Sequence, residues 1–275
     1  RMAFFFNGHN DFLYEIAKFR AARQIWAKIM ANEFNAKNEK SMMLRFHTQT
    51  GGSTLTAQQP HNNVVRTTIQ ALSAVLGGTQ SLHTNAMDEA LGLPSEKAAK
   101  VALRTQQIIG EESGIPFTVD PLAGSYTIES MTDELITKSM ELIDRIDTKG
   151  GMLKCIEDGW VQSEIMDSAY KYQREVEDSE RVIVGVNKYK EDDDTENEIT
   201  KINEKLIKEK IRKLTELKSK REKIEDYLDK IAQKATSEEN LMPHILEGVK
   251  ASVSIGEICN TLRGVWGEYL PKDIL

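Results

Sequence analysis

The chain has 275 residues, 40% hydrophobic and 29% charged, with a formal net charge of -7. That is enough apolar material for one large core or two modest ones, and the mixture is too even for a disordered chain. The negative balance argues against indiscriminate nucleic-acid binding, no apolar run approaches the roughly 18 residues of a membrane span, and Cys155 and Cys259 alone make no disulfide framework, which points to a reducing cytoplasm.

The chain opens on Arg1 and runs directly into MAFFF, with no feature of a signal peptide. It reads as a sequence that starts inside a longer protein. Residues 2–6 predict a buried strand. Phe12, Ile16, Phe19, Trp26 and Met30 recur at helical spacing to about residue 31, and NEFNAKNEK (32–40) reads as a polar loop. A second strand is expected over 41–48. A helix follows through Val65, Ile69, Leu72 and Val75, stopped by Gly77-Gly78. TQSLHTN (79–85) predicts a third strand, and Pro94 begins a helix closed at Gly110. Residues 117–120 suggest one more short strand. Strand and helix alternate through about residue 127, which is an α/β rhythm with parallel strands.

The remainder is mainly helical. Residues 130–150 and 155–177 predict helices, RVIVGVN (181–187) a lone strand, and YKEDDDTENE an acidic surface loop. Residues 198–234 carry Ile199, Ile202, Leu206, Ile211, Leu214, Leu217, Ile224, Leu228 and Ile231, which predicts a long helix or a helical hairpin. Its Lys205, Lys208, Lys210, Arg212 and Lys213 alternate with acids, so the charge reads as a solvated face of i,i+4 pairs rather than a nucleic-acid patch. Two more helices are expected around 238–250 and 255–269.

The second and third strands are unusual. One face of the second carries Arg45, His47 and Gln49, against Leu44, Phe46 and Thr48 on the other. One face of the third carries Ser81, His83 and Asn85. An ordinary α/β barrel fills its interior with bulky branched residues, and a polar interior without partners is costly. Such faces either close on each other as a hydrogen-bonded network or meet water or a polar ligand. Three polar positions on each strand, followed by Gly51-Gly52 and by Asp88-Glu89, favour a ligand site at the strand C-terminal ends. The sequence has no HxxxH, HExxH or CxxC for a metal, no GxSxG elbow and no P-loop. Hydrogen-bond donors, two histidines and carboxylates without an activated nucleophile suit a protein that holds a cofactor doing the hard chemistry.

RMAFFF, EIAKFRAARQIWA, RFHTQTGGSTLTAQQPHNNVVRTTIQALSAVLGGTQSLHTNAMDEALGLP, ALRTQQIIGEESGI, VDPLAGSY and VIVGVNKY together resemble the adenosylcobalamin-dependent methylmalonyl-CoA mutases, from residue 1 to about 190 and again over the last 30 or so. The resemblance implies the C-terminal part of the large, catalytic subunit. It implies an α/β fold in which residues 1–127 supply the last three strands of a TIM-type (β/α)8 barrel, threaded by coenzyme A, and 128–275 form a helical belt. The family's cobalamin motif, Asp-x-His-x-x-Gly, is absent, so the lower cobalt ligand would come from a cobalamin-binding domain or small subunit.

By position, the resemblance places Arg1, Ala3, Ser81 and Asn85 against the acyl-CoA, with Ala3 where many relatives carry a serine. It places Gln49 at the meeting of substrate and corrin, and Glu89 and Gly92 on the cofactor's upper face. His47 and His83 would position groups rather than transfer protons, and Ser53 stands where several relatives carry tryptophan. The implied reaction is the radical rearrangement of (R)-methylmalonyl-CoA to succinyl-CoA by an isomerase. Isobutyryl-CoA and 2-hydroxyisobutyryl-CoA mutases are the near alternatives, and a fragment with only an assembly role is the reading from another class. An incomplete barrel leaves sheet edges and helix faces open, which predicts dimerisation or marginal stability.

Overall fold

The computed structural model describes residues 2–191 and 203–270. Arg1, Ile199, Ile202 and most of the acidic loop lie outside the described residues. The chain divides into two compact units, Arg1–Lys201 and Ile202–Leu275.

The first unit is built on three parallel strands in the order β1 (Phe4–Gly8), β2 (Phe46–Thr50), β3 (Ser81–His83). Helix α1 (Phe12–Asn32) crosses from β1, the short α2 (Glu39–Met42) precedes β2, and α3 (Asn62–Leu76) links β2 to β3. The strand expected over 41–48 starts later, at Phe46, because Asn38 caps α2 through a hydrogen bond from the Lys40 amide. After β3 come α4 (Glu96–Glu111), α5 (Tyr126–Thr148), α6 (Met152–Glu157) and α7 (Trp160–Glu177).

One face of the sheet is covered by α1 and α3. Phe19 lies flat on Phe46, with centroids 5.4 Å apart and planes 14° apart, and Phe6 meets both rings edge-on. Leu44 and Ala74 complete this core, and Phe4 and Trp26 pack at its margin. Gly77 is required here: a Cβ at that position would lie 2.5 Å from Phe19 Cδ2.

Two expected strands do not form. Ile115–Phe117 is a 3-10 turn, and Asp120 sits at φ +46 with its carboxylate turned to Arg20 of α1. Arg20 also reaches Glu129 and Thr132 of α5, so the 117–120 segment is held by an α1 side chain that α5 braces rather than by a ladder. Residues 181–187 form turns with a single bridge, Val184 to Lys188. Arg66 of α3 donates to the Val184 carbonyl, and Gln59 to that of Tyr189, so this apolar run is fastened by its backbone carbonyls.

The second unit contains α8 (Glu204–Lys220), α9 (Glu225–Ala235), α10 (Met242–Lys250) and α11 (Ile255–Trp266). The long helical stretch thus breaks at Arg221. Its guanidinium turns to the Ser252 carbonyl and to Glu257, while α9 packs on α10 and α11 through Ile224, Ile231, Val253 and Ile258. The i,i+4 pairs expected on the charged face are present in α8 as Glu209–Lys213 and Arg212–Glu216.

Glu257 completes a capping box with Ser254 at the start of α11. The Arg221 guanidinium, with Ser254 and Lys218, holds the Glu257 carboxyl far below the usual carboxylate range. Its folded pKa is depressed, so its contribution is present above the unfolded value of about 4.3 and is lost as pH falls from there through the folded pKa. Hydrogen-exchange protection factors over residues 225–266 of the full chain should fall below about pH 4, and Glu257→Gln should weaken that dependence. An unchanged pH profile in the variant would show that the pair contributes nothing.

Candidate active site

Because the strands are parallel, their C-terminal ends share one edge, and the sheet face away from α1 and α3 is open. Register sets two rows across that face: Phe5, His47 and Ser81, then Asn7, Gln49 and His83. Phe46, Thr48 and Thr50 point to the helix side and are buried, while His47 and Gln49 are half-buried and Ser81 and His83 exposed. The first row is linked side chain to side chain. His47 Nδ1 lies 2.7 Å from Ser81 Oγ, which leaves Nε2 without a partner among the described residues, and the Phe5 ring lies 5.3 Å from the imidazole. The predicted polar face is real, and Arg45 and Ala3 are exposed next to it.

Asn85 departs from the expected alternation. It is past the end of β3 and 2% exposed, turned toward Thr50 rather than standing beside His83. Thr50 Oγ1 donates to Asn85 Oδ1 at 2.6 Å and accepts from the Asn85 backbone amide at 2.9 Å. That fixes the side-chain amide and leaves Nδ2 buried without an acceptor among the described residues. A Cβ on Gly52 would sit 3.2 Å from this Nδ2 and 3.7 Å from Glu89 Oε1. Gly52 is therefore packed between Asn85 and Glu89, and a side chain there would crowd the Asn85 amide. An orphaned donor of this kind costs roughly 1–3 kcal/mol unless a ligand or water accepts from it.

Asp88 and Glu89 have separate roles. Asp88 is buried and accepts from the Ser95 amide at 2.8 Å, and its backbone carbonyl takes the amides of Leu91 and Gly92. It shapes the loop. Glu89 and Gly92 are exposed on that loop.

The residues that pattern reading missed lie on α3. Val65 and Ile69, expected to face the core, are 60% and 40% exposed, while Asn63, Thr67, Gln70 and Ser73 are buried. Asn63 donates to the carbonyls of Thr56 and Met87 and accepts from the Thr56 amide, joining the loops after β2 and β3. Gln70 does the same for the loops after β1 and β2. A polar stripe at 63, 67, 70 and 73 was the available signal, since that spacing marks one helix face.

Beside the end of β1, His9 and Ser53 border an apolar cavity of about 760 Å³ walled by α5 and α7, including Ile146, Trp160 and Tyr172. Burial pushes the His9 pKa below its ordinary value. Among the described residues no group of three or more His, Cys, Asp or Glu could hold a metal ion, and no helix is long and apolar enough to cross a membrane.

The sequence family described as methylmalonyl-CoA mutase matches residues 1–268. The chain belongs to the methylmalonyl-CoA mutase family. It is 45% identical to the 2-hydroxyisobutanoyl-CoA mutase large subunit of Aquincola tertiaricarbonis, over 98% of this chain and 49% of that protein. It is 44% identical to a probable mitochondrial methylmalonyl-CoA mutase of Caenorhabditis elegans over 98% of this chain and 37% of the relative. It is 42% identical to the methylmalonyl-CoA mutase of Escherichia coli strain K12 over 98% of this chain and 38% of the relative. The chain thus spans half or less of the length of these relatives. In this member of the methylmalonyl-CoA mutase family, Gln49, Asn85 and Glu89 belong to the common C-terminal edge, and His47, Ser81 and His83 line the open face leading to it.

Proposed function

We propose that this chain is part of the large subunit of an adenosylcobalamin-dependent acyl-CoA mutase that converts (R)-methylmalonyl-CoA to succinyl-CoA. The observation that carries the reading is the open polar face of His47, Gln49, Ser81 and His83 on parallel strands, whose C-terminal ends lead into the loops bearing Gly52, Asn85 and Glu89. A linear polar chain such as pantetheine could lie along His47, Ser81 and His83, with its acyl end arriving at Gln49. The three strands would then be the last three of a TIM-type barrel, with the open face as part of its lumen and the later helices as a belt.

The residues present fit the cofactor at the upper face. Glu89 and Gly92 are exposed on the loop after β3 and Gln49 is half-buried at the strand end, so polar groups and a glycine are available there, while Asn85 Nδ2 offers a donor to the acyl-CoA. Gln49, Glu89 and Gly92 would hold the cofactor's upper face. Adenosylcobalamin supplies, when bound, the carbon radical that starts such rearrangements. The chain's own residues bind, orient and exclude water. Gln49 offers both a donor and an acceptor to substrate and corrin without a titratable group, so it holds rather than transfers a proton. His47, with Nδ1 engaged by Ser81, orients the acyl-CoA through Nε2. Arg1 and Ala3 would extend the coenzyme A contact, and the lower cobalt ligand would come from a cobalamin-binding domain or small subunit. The name of the Aquincola relative, a large subunit, supports such a partner. A dimer and a cytoplasmic location complete the reading.

The test is reconstitution of the full-length protein with adenosylcobalamin and its cobalamin-binding partner, followed by mass analysis of acyl-CoA products. Succinyl-CoA from (R)-methylmalonyl-CoA is expected, and Gln49→Ala should lower kcat/KM by about a hundredfold, or about 2.7 kcal/mol of transition-state stabilisation. Turnover of isobutyryl-CoA or 2-hydroxyisobutyryl-CoA alone would move the substrate assignment within the family. Turnover of none of these would overturn the reading.

A further inference from the structure

Gln70 is wholly buried in the middle of α3, where an aliphatic side chain would be the ordinary occupant. None of its side-chain hydrogen bonds is spent on its own helix. Nε2 donates to Asn10 Oδ1 in the loop after β1, at 2.5 Å, and to Thr54 Oγ1 in the loop after β2, at 2.6 Å. Oε1 accepts from the Gly51 amide at 2.8 Å. Thr54 in turn donates to the Gly51 carbonyl at 2.7 Å. One amide thus joins two loops and helps to hold Gly51 at both its N–H, from which the Gly8 carbonyl also accepts at 2.7 Å, and its carbonyl, through Thr54. The next residue is Gly52, whose position sets the gap to Asn85 Nδ2 and Glu89. The packing around this clasp leaves little slack, since a Cβ on Gly51 would lie 3.0 Å from Asn7 Oδ1 and 3.1 Å from the Gly8 carbonyl.

We infer that Gln70 and Thr54 are positioning residues for the cofactor edge of the site. They act through Gly51 and Gly52 and touch no ligand. The inference rests on the proposed function for the identity of what binds there. Physically, a buried amide with all its polar atoms paired is tolerated, but it adds little net stability over an apolar side chain of the same shape. Its orientation is dictated by three fixed partners, which makes it a register for the loops.

Thr54→Val keeps the shape of the side chain and removes the hydroxyl, and Thr54→Ser keeps the hydroxyl. In the reconstituted holoenzyme, Thr54→Val and Gln70→Leu should raise the dissociation constant for adenosylcobalamin, read by absorbance titration, about tenfold. The KM for acyl-CoA should change less than twofold. Hydrogen exchange over residues 49–56 of the full chain should rise in both variants, and Thr54→Ser should restore wild-type cofactor binding and exchange. The inference is overturned if Thr54→Val binds the cofactor as wild type does, or if Thr54→Ser is equally impaired. Should Gln70→Leu fail to fold, the two Thr54 variants still decide. If the wild-type protein binds no adenosylcobalamin, the proposed function fails, while the exchange comparison at 49–56 still shows whether the clasp orders that loop.

Discussion

Phe19→Ala lowers the stability of the first unit by about 3–5 kcal/mol, the range for removing a fully buried aromatic side chain. Phe19 has no exposed surface, stacks on Phe46 and meets Phe6 edge-on, so its loss takes two aromatic contacts with it. Gly77 closes the other side, and Gly77→Ala should cost about 1–3 kcal/mol because its methyl overlaps the Phe19 ring. The two changes meet at one place. In the double variant the methyl added at position 77 enters space left by the ring, so the combined loss should fall short of the sum by about 1 kcal/mol or more. Denaturant melts of the four proteins test this, and strict additivity would show that Gly77 is not held small by Phe19.

Arg20→Ala should cost about 2–3 kcal/mol, between the values for exposed and fully buried ion pairs. Arg20 is 8% exposed and donates to Asp120, Glu129 and Thr132. Its carboxylate partners keep some contact with water, which moderates the loss. The substitution leaves Asp120 without its partner at a left-handed backbone position and frees the 117–120 turn from α1. The Arg20 guanidinium, with the Gly124 amide, holds the Glu129 carboxyl below the usual carboxylate range. Stability from this contact is therefore present above the unfolded carboxylate pKa and lost as pH falls through the folded one. Urea melts at pH 7 and pH 4 should show a smaller difference between wild type and Arg20→Ala at the lower pH. An equal or larger difference at pH 4 would assign the loss to packing of the Arg20 stem.

The α/β order, the parallel strands and the polar face were legible in the sequence because each depends on local period. Alternation in LRFHTQT is a backbone property, and it put His47 and Gln49 opposite Phe46 and Thr48 wherever the sheet lay. Glycine pairs marked loops for the same reason. The motifs carried the family, and the roles proposed for Gln49 and Glu89 rest on it.

Only the tertiary structure decided which side of α3 is inside. Val65 and Ile69 have the stronger hydrophobic signal, yet the face turned to the strand ends is Asn63, Thr67, Gln70 and Ser73. Periodicity assigns the core to apolar residues, but the neighbours here are loops whose backbone polar groups need partners when buried. The same reason explains the two missing strands. Residues 117–120 and 181–187 have the residue types of strands, but side chains such as Arg20 and Arg66 bond to these segments in place of a ladder. Asn85 is the sharpest case. Alternation placed it beside His83, and a pair of hydrogen bonds to Thr50 turned it inward with one donor left over. Local sequence sets the period of an element, whereas the partners of its buried polar atoms are distant in the chain and exist only once the three loops meet.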